Sequence, residues 1–294
     1  MRDETSRGIW ATTAAFVTWG FVPVYWKAVS DIPAEEMIAY RIVCALPFIS
    51  VLLVWTKGWA QVRRALRRPR LLLVMAGGAF LIAFNWFIFI EAMNNDQVMQ
   101  ASLGYYINPL VNVLLGFILL GERMRRLQWT AIALATAGVV NLIVAAGELP
   151  LIALALAFSF GLYGLLRKLA PIDALPGLFI EVLWLLPLAL LWLGVRILSG
   201  PGMTPVEPAT LALVPLAGVI TTLPLSWFAY GARRLPLATV GVLQFIAPTG
   251  HFLLAILAYG EPFDGAHAVT FALIWIGVAL YVLDLMRMRR HARA

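Results

Sequence analysis

Apolar residues run in long stretches along this chain, and charged residues gather in the short gaps between them. Each stretch is about 20 residues long, the length of helix that crosses the hydrocarbon core of a bilayer. The pattern predicts ten spans, at about 8–29, 33–55, 70–92, 97–119, 127–146, 149–167, 174–197, 209–231, 237–259 and 265–286. The connections leave no room for a soluble domain. The longest polar one, Lys57 to Arg70, reads KGWAQVRRALRRPR and predicts a short helix lying in the membrane interface.

The pattern also repeats. Val98 to Arg126 reads VMQASLGYYINPLVNVLLGFILLGERMRR, and Gly241 to Phe263 reads GVLQFIAPTGHFLLAILAYGEPF. A constant offset pairs Ile107 with Ile246, Pro109 with Pro248, and Gly121-Glu122 with Gly260-Glu261. Weaker matches pair Trp19-Gly20 and Lys27 with Phe160-Gly161 and Lys168, and Trp86-Phe87 with Trp227-Phe228. The expected organisation is a five-helix repeat over 1–147 and a second over 148–294. An odd number of spans per repeat turns the second upside down, an arrangement common in secondary transporters.

Composition strengthens the membrane reading. Of 294 residues, 62% are apolar and 13% charged, against roughly half and a quarter in soluble domains. The net charge of +7 does not point to nucleic acid, because the cations lie between spans. With the N-terminus inside, the inner segments receive Arg2 and Arg7, the six cations of Lys57–Arg70, Arg123, Arg125, Arg126, Arg167, Lys168, Arg233, Arg234 and four arginines after Leu285. Outer connections carry Asp31, Glu35, Glu36, Asp96, Glu148, Glu207, Glu261 and Asp264. This asymmetry predicts cytoplasmic termini. The first span reads as retained rather than cleaved. Cys44 is the only cysteine, so no intramolecular disulfide forms.

Polar residues within spans are costly and mark the bundle interior. Tyr105, Asn108 and Asn112 share one helical face, and Gln244 and His251 occupy the positions equivalent to Tyr105 and Asn112. Pro109 and Pro248 are expected hinges. Arg41 and Glu181 enter equivalent spans from opposite sides; Arg41 suits a carboxylate, and Glu181 an ammonium or a coupling proton. Trp19, Tyr40, Trp86, Tyr106, Tyr163 and Trp227 offer ring faces, with Asn85, Thr221, Thr222 and Ser226 as polar neighbours. For each of these, helix packing or a buried ion pair is the alternative to lining a substrate path. Ala131, Ala135, Gly138 and Gly277 permit close helix approach, within the chain or in a weak homodimer. No phosphate loop, zinc-protease motif or nucleophile elbow is present, which argues against ATP-driven transport and against an enzyme. His251 has no second ligand at helical spacing, so no metal or cofactor is expected.

The segments SLGYYINPLVNVLLGFILLGERM, NWFIFIEA, FGLYGLLRK and LQFIAPTGHFLLAILAYGEPF, with W-x-A-x-A-L-A beginning at Trp129, together resemble the RarD-type branch of the EamA family. That family belongs to the drug/metabolite transporter superfamily. The resemblance runs from Gly8 to about Leu285 and implies an all-α membrane protein with ten transmembrane helices in two inverted five-helix repeats. It implies export of small metabolites, amino acids including aromatic ones among them, across the bacterial inner membrane. The expected substrate contacts are Trp19, Arg41, Asn85, Trp86, Tyr106, Asn108, Asn112, Tyr163, Glu181, Trp227, Gln244 and His251, around a cavity between the halves. An exporter of drugs or other metabolites and a passive channel are the alternatives.

Overall fold

A computed structural model describes residues 2–94, 98–147, 150–200, 202–258 and 265–291. Asp96, Glu148, Glu261, Asp264 and Arg293, named above for their charge, and Gly260 lie outside the described residues, and Pro201 is likewise left out. Thirteen helices and no strand occur among the described residues: α1 (Arg2–Ala28), α2 (Ala34–Trp55), α3 (Trp59–Leu66), α4 (Pro69–Asn94), α5 (Val98–Leu120), α6 (Arg126–Ala146), α7 (Leu151–Leu169), α8 (Ala174–Ser199), α9 (Pro208–Leu213), α10 (Leu216–Ala232), α11 (Leu237–Gln244), α12 (Ile246–Leu257) and α13 (Gly265–His291). In hydrocarbon a helix satisfies its backbone internally, which is why apolar runs of this length take that form.

Among the described residues, eight segments are long and apolar enough to cross a membrane, and they coincide with expected spans 2 to 8 and 10. Expected span 1 falls in α1, where Thr12, Thr13 and Thr18 dilute the apolar run. Expected span 9 is divided at Phe245 into α11 and α12. Pro248 lies three residues past that break. Its ring has no N–H and crowds the carbonyl four residues back, on Gln244. Pro109 produces no such division, and α5 runs continuously through it. The helix expected between Lys57 and Arg70 is α3, with Val62 and Ala65 buried against the bundle.

The main core gathers residues of α1, α2, α4, α7, α8 and α10 around Phe16, Ile49, Met75, Tyr163, Ile180 and Phe228. Helix α1 packs on α10 and α12, α4 on α7 and α8, α2 on α8 and α10, α5 on α7 and α11, and α6 on α13. The last contact uses the small residues singled out above. A Cβ on Gly277 would lie 2.6 Å from the Ala131 carbonyl oxygen, so α13 seats directly on the α6 backbone. Around the outside stand large apolar side chains, such as Leu198, Leu257 and Val144, each more than 70% exposed. Such a surface suits lipid and not water.

Candidate functional site

Arg41 projects from α2, and its Nε donates to Thr221 Oγ1 of α10 at 3.0 Å. Its guanidinium lies over the Trp86 ring of α4 at 4.2 Å and the Trp26 ring of α1 at 4.9 Å. Four helices from both halves of the chain thus hold one cation between two indoles. Among the described residues no carboxylate pairs with it and no acceptor meets its two Nη atoms. The side chain is only partly buried. A guanidinium with two parallel donors, stacked on aromatic faces, has the chemistry to pair with a carboxylate in a bidentate fork.

The other expected contacts fall into separate clusters. His251 Nε2 lies 2.9 Å from the Trp19 carbonyl oxygen. In α1 the next donor for that carbonyl would come from residue 23, which is proline. Pro23 has no N–H, so His251 supplies one, and Nε2 therefore carries the proton. Gly20 and Gly250 bring the two backbones close enough for this contact: a Cβ on Gly250 would lie 2.8 Å from Gly20 Cα. Tyr105 closes the same corner, edge-on to His251 at 5.5 Å.

Asn108, Asn112 and Gln244 form a buried ladder between α5 and α11. Asn112 Nδ2 donates to Gln244 Oε1 at 2.7 Å and reaches Asn108 Oδ1 at 3.4 Å, while Asn112 Oδ1 has no partner. Asn85 Nδ2 donates to the Leu156 carbonyl and to Ser159 Oγ, both at 2.9 Å, tying α4 to α7. Trp227 packs against the main core. Tyr106 points elsewhere, edge-on to Phe271 of α13 at 5.7 Å.

Glu181 does not meet Arg41. Its Oε1 lies 3.4 Å from Arg167 Nη1, its Oε2 accepts from Tyr163 OH at 3.2 Å, and both charged side chains are 1% exposed or less. Arg167 also donates to the Ala174 carbonyl at 2.8 Å. The structure corrects the placement of Arg167 among the loop cations. It is buried and neutralises Glu181, so the buried-ion-pair alternative describes Glu181 here, with Tyr163 as its hydroxyl partner.

A second pair joins the halves at one end of the bundle. Gly121, at a φ of +62°, turns the chain past the end of α5 so that Glu122 points back. Glu122 then accepts from the backbone N–H groups of Leu237 at 2.7 Å and Ala238 at 3.0 Å, capping α11. Lys168, at the end of α7, lies 3.6 Å from the same carboxylate and donates to the carbonyls of Ala232 and Leu235. Glu4 with Arg234 and Arg125 with Asp284 brace the same end. Arg234 holds the Glu4 carboxyl below its ordinary range by hydrogen bonding. The repeated Lys and Gly-Glu positions were the signal for this brace in the sequence, but spacing does not tell which lysine meets which glutamate. Trp26 was missed as well, since a tryptophan near a span end usually belongs to an interfacial belt.

Two cavities among the described residues bear on the expected chamber. One is an apolar gap of about 10 Å³ between α5, α6, α11 and α13, and the other a recess of about 100 Å³ beside α3. Neither is the chamber expected between the halves, and neither is lined by Arg41 or the amide ladder.

Comparison with known proteins gives a concordant result. The model of the EamA-like transporter family matches residues 6–144. The protein RarD of Salmonella typhimurium is 43% identical over 288 residues, spanning 98% of this chain and 98% of its own. An uncharacterized transporter of Vibrio cholerae is 42% identical over 295 residues, spanning 99% of this chain and 97% of its own. A crystal structure 23% identical to this chain shares its fold, with a TM-score of 0.73 over 98% of this chain and 99% of that one.

The buried pair has a measurable signature. Glu181→Ala leaves Arg167 uncompensated and is expected to cost about 3–5 kcal/mol. Arg167→Met combined with Glu181→Met removes both charges and is expected to recover most of that loss. Thermal unfolding in detergent reads both. Equal destabilisation by the single and double variants would contradict the pairing.

Proposed function

Because this chain belongs to the EamA-like transporter family, with close relatives named RarD along its whole length, we propose that it is a secondary carrier of the bacterial inner membrane. It exports amino acids, aromatic ones among them, or similar small amphipathic metabolites by alternating access. The observation that carries this reading is Arg41, a cation stacked on Trp86 and Trp26 with its Nη donors uncommitted among the described residues. Binding takes the substrate carboxylate onto those donors and the side chain against the indoles. No cofactor and no reaction is involved; the energy comes from a gradient or from exchange.

The proposed architecture is ten spans in two inverted repeats, 1–147 and 148–294, with both termini cytoplasmic. Three features support it. The cations concentrate in alternate connections. The packing partners recur when each helix is exchanged for its counterpart five spans on: α1 on α10 matches α7 on α4, and α2 on α10 matches α8 on α4. Helices α5 with α11, α2 with α8, and α6 with α13 are then self-matched pairs across the pseudo-axis.

In this reading the braced end is the cytoplasmic one. The Glu122–Lys168 contact closes it, and the helix break at Phe245 beside Pro248 is where α11 swings when it opens. Pro109 offers the matching weak point in α5.

Two measurements test the proposal. Counterflow of labelled amino acids in proteoliposomes is expected to show saturable exchange. Arg41→Ala is expected to raise KM by about ten- to a hundredfold, the loss of one charged hydrogen-bonding partner. Wild-type KM in that variant would remove Arg41 from the site, and flux without saturation would indicate a channel. With Cys44→Ser as background, Val240→Cys places a thiol in the first turn of α11, where the native residue is fully buried. Lys168→Met is expected to raise its maleimide labelling from the cytoplasmic face by roughly tenfold, as a bridging contact is lost. An unchanged rate would show that Lys168 does not hold that end shut.

A further inference from the structure

Helix α3 and the turn into α4 carry a charge that the transport site does not use. Lys57, Arg63, Arg64, Arg67, Arg68 and Arg70 fall within one short segment that contains no acid, and all six are exposed. Among the described residues none of them pairs with a carboxylate. Asp173, the acid nearest in sequence to the facing turn of Pro171 and Ile172, is committed to Arg233 at 2.7 Å. Glu181 is buried against Arg167. Concentrated positive charge of this kind repels itself unless an anion joins it.

The segment also has a shaped place for an anion. Arg64 and Arg68 are one turn apart and line a recess of about 100 Å³ with Gln61, over a floor of Ala65, Leu71 and Ile172. The helix is fixed from behind: Val62 and Ala65 are buried, and Trp59 meets Phe179 of α8 edge-on at 5.0 Å. Leu66, Leu73 and Leu169, on the flanks of the same segments, are exposed at 45%, 70% and 60%. Polar donors over an apolar floor, at the end of membrane helices and beside lipid-facing leucines, match a phosphodiester headgroup with its acyl chains running down the bundle.

We infer that the recess between α3 and the α7–α8 turn is a binding site for an anionic phospholipid, with Arg64 and Arg68 on its phosphoryl oxygens. The site stands on local geometry and does not depend on which substrate is carried. Arg68 also precedes Pro69, the first residue of α4. A lipid held there braces α3 and α4 against the α7–α8 turn, joining the two halves where no ion pair among the described residues does so.

The test uses the full-length protein in nanodiscs of phosphatidylcholine, titrated with phosphatidylglycerol and read by native mass spectrometry and by Tm. Wild type is expected to retain phosphatidylglycerol and to gain Tm. The double variant Arg64→Gln/Arg68→Gln is expected to bind it about tenfold more weakly, two surface cations each contributing modestly. Arg123→Gln/Arg126→Gln, which removes the same charge from another connection, is expected to bind as wild type. Equal binding by the two double variants, or no preference for phosphatidylglycerol over phosphatidylcholine, would overturn the site. Inorganic phosphate is expected neither to displace the lipid nor to raise Tm by itself. If it does both, the ligand is a free phosphate and the lipid assignment fails. Counterflow by Arg41 variants reads the transport reading separately, so failure of one leaves the other standing.

Discussion

Hydrocarbon offers a polar side chain no water to bond with, so polar groups between these helices must find one another. That constraint explains most of the interior. Asn85 reaches Ser159 and a carbonyl, Asn112 reaches Gln244, Glu181 takes Arg167 and Tyr163, and His251 caps the carbonyl that Pro23 leaves bare. Each contact joins two helices or satisfies a proline-broken backbone. Arg41 departs from the pattern. It is anchored through Nε alone, and the rest of the guanidinium is framed by indoles. Those spare donors are what the proposed carboxylate contact would use.

The same constraint separates what the sequence made legible from what it did not. Span positions follow from run lengths, and the α3 segment follows from its arginines, because both depend only on local composition. The faces of the helices were legible too: the spacing of Asn108 and Asn112 put them together, and they are together. Partners were not. Periodicity says which side of a helix a residue takes but not which helix it meets. Symmetry of position makes Glu181 the counterpart of Arg41 but leaves its partner open, and that partner is Arg167 on the neighbouring α7. Tyr106, one residue from Tyr105, turns to α13 instead of α12. The two prolines behave differently for a related reason. The chain divides before Pro248 and continues through Pro109, although sequence makes them equivalents.

Contacts between the halves are polar at both ends and aromatic between them; at the end away from Glu122, Glu36 of α2 accepts from Thr204 at 2.9 Å and lies 3.9 Å from Arg196 of α8. At the braced end, Glu122 caps a helix of the other half and Lys168 bridges back. Deeper, Phe16, Trp19, Phe160 and Phe228 pack ring to ring across α1, α7 and α10. Polar braces break at modest cost when a competing partner or water arrives, whereas close-packed rings slide as a body. The proposed alternating access would use both.

The most direct measurement of the central claim is calorimetric binding to the purified protein of each candidate metabolite beside its own methyl ester. The two differ in little but the carboxylate charge that Arg41 is held to receive. The account predicts that the free acid binds and that the ester binds at least about tenfold more weakly. Equal affinity for acid and ester would contradict it.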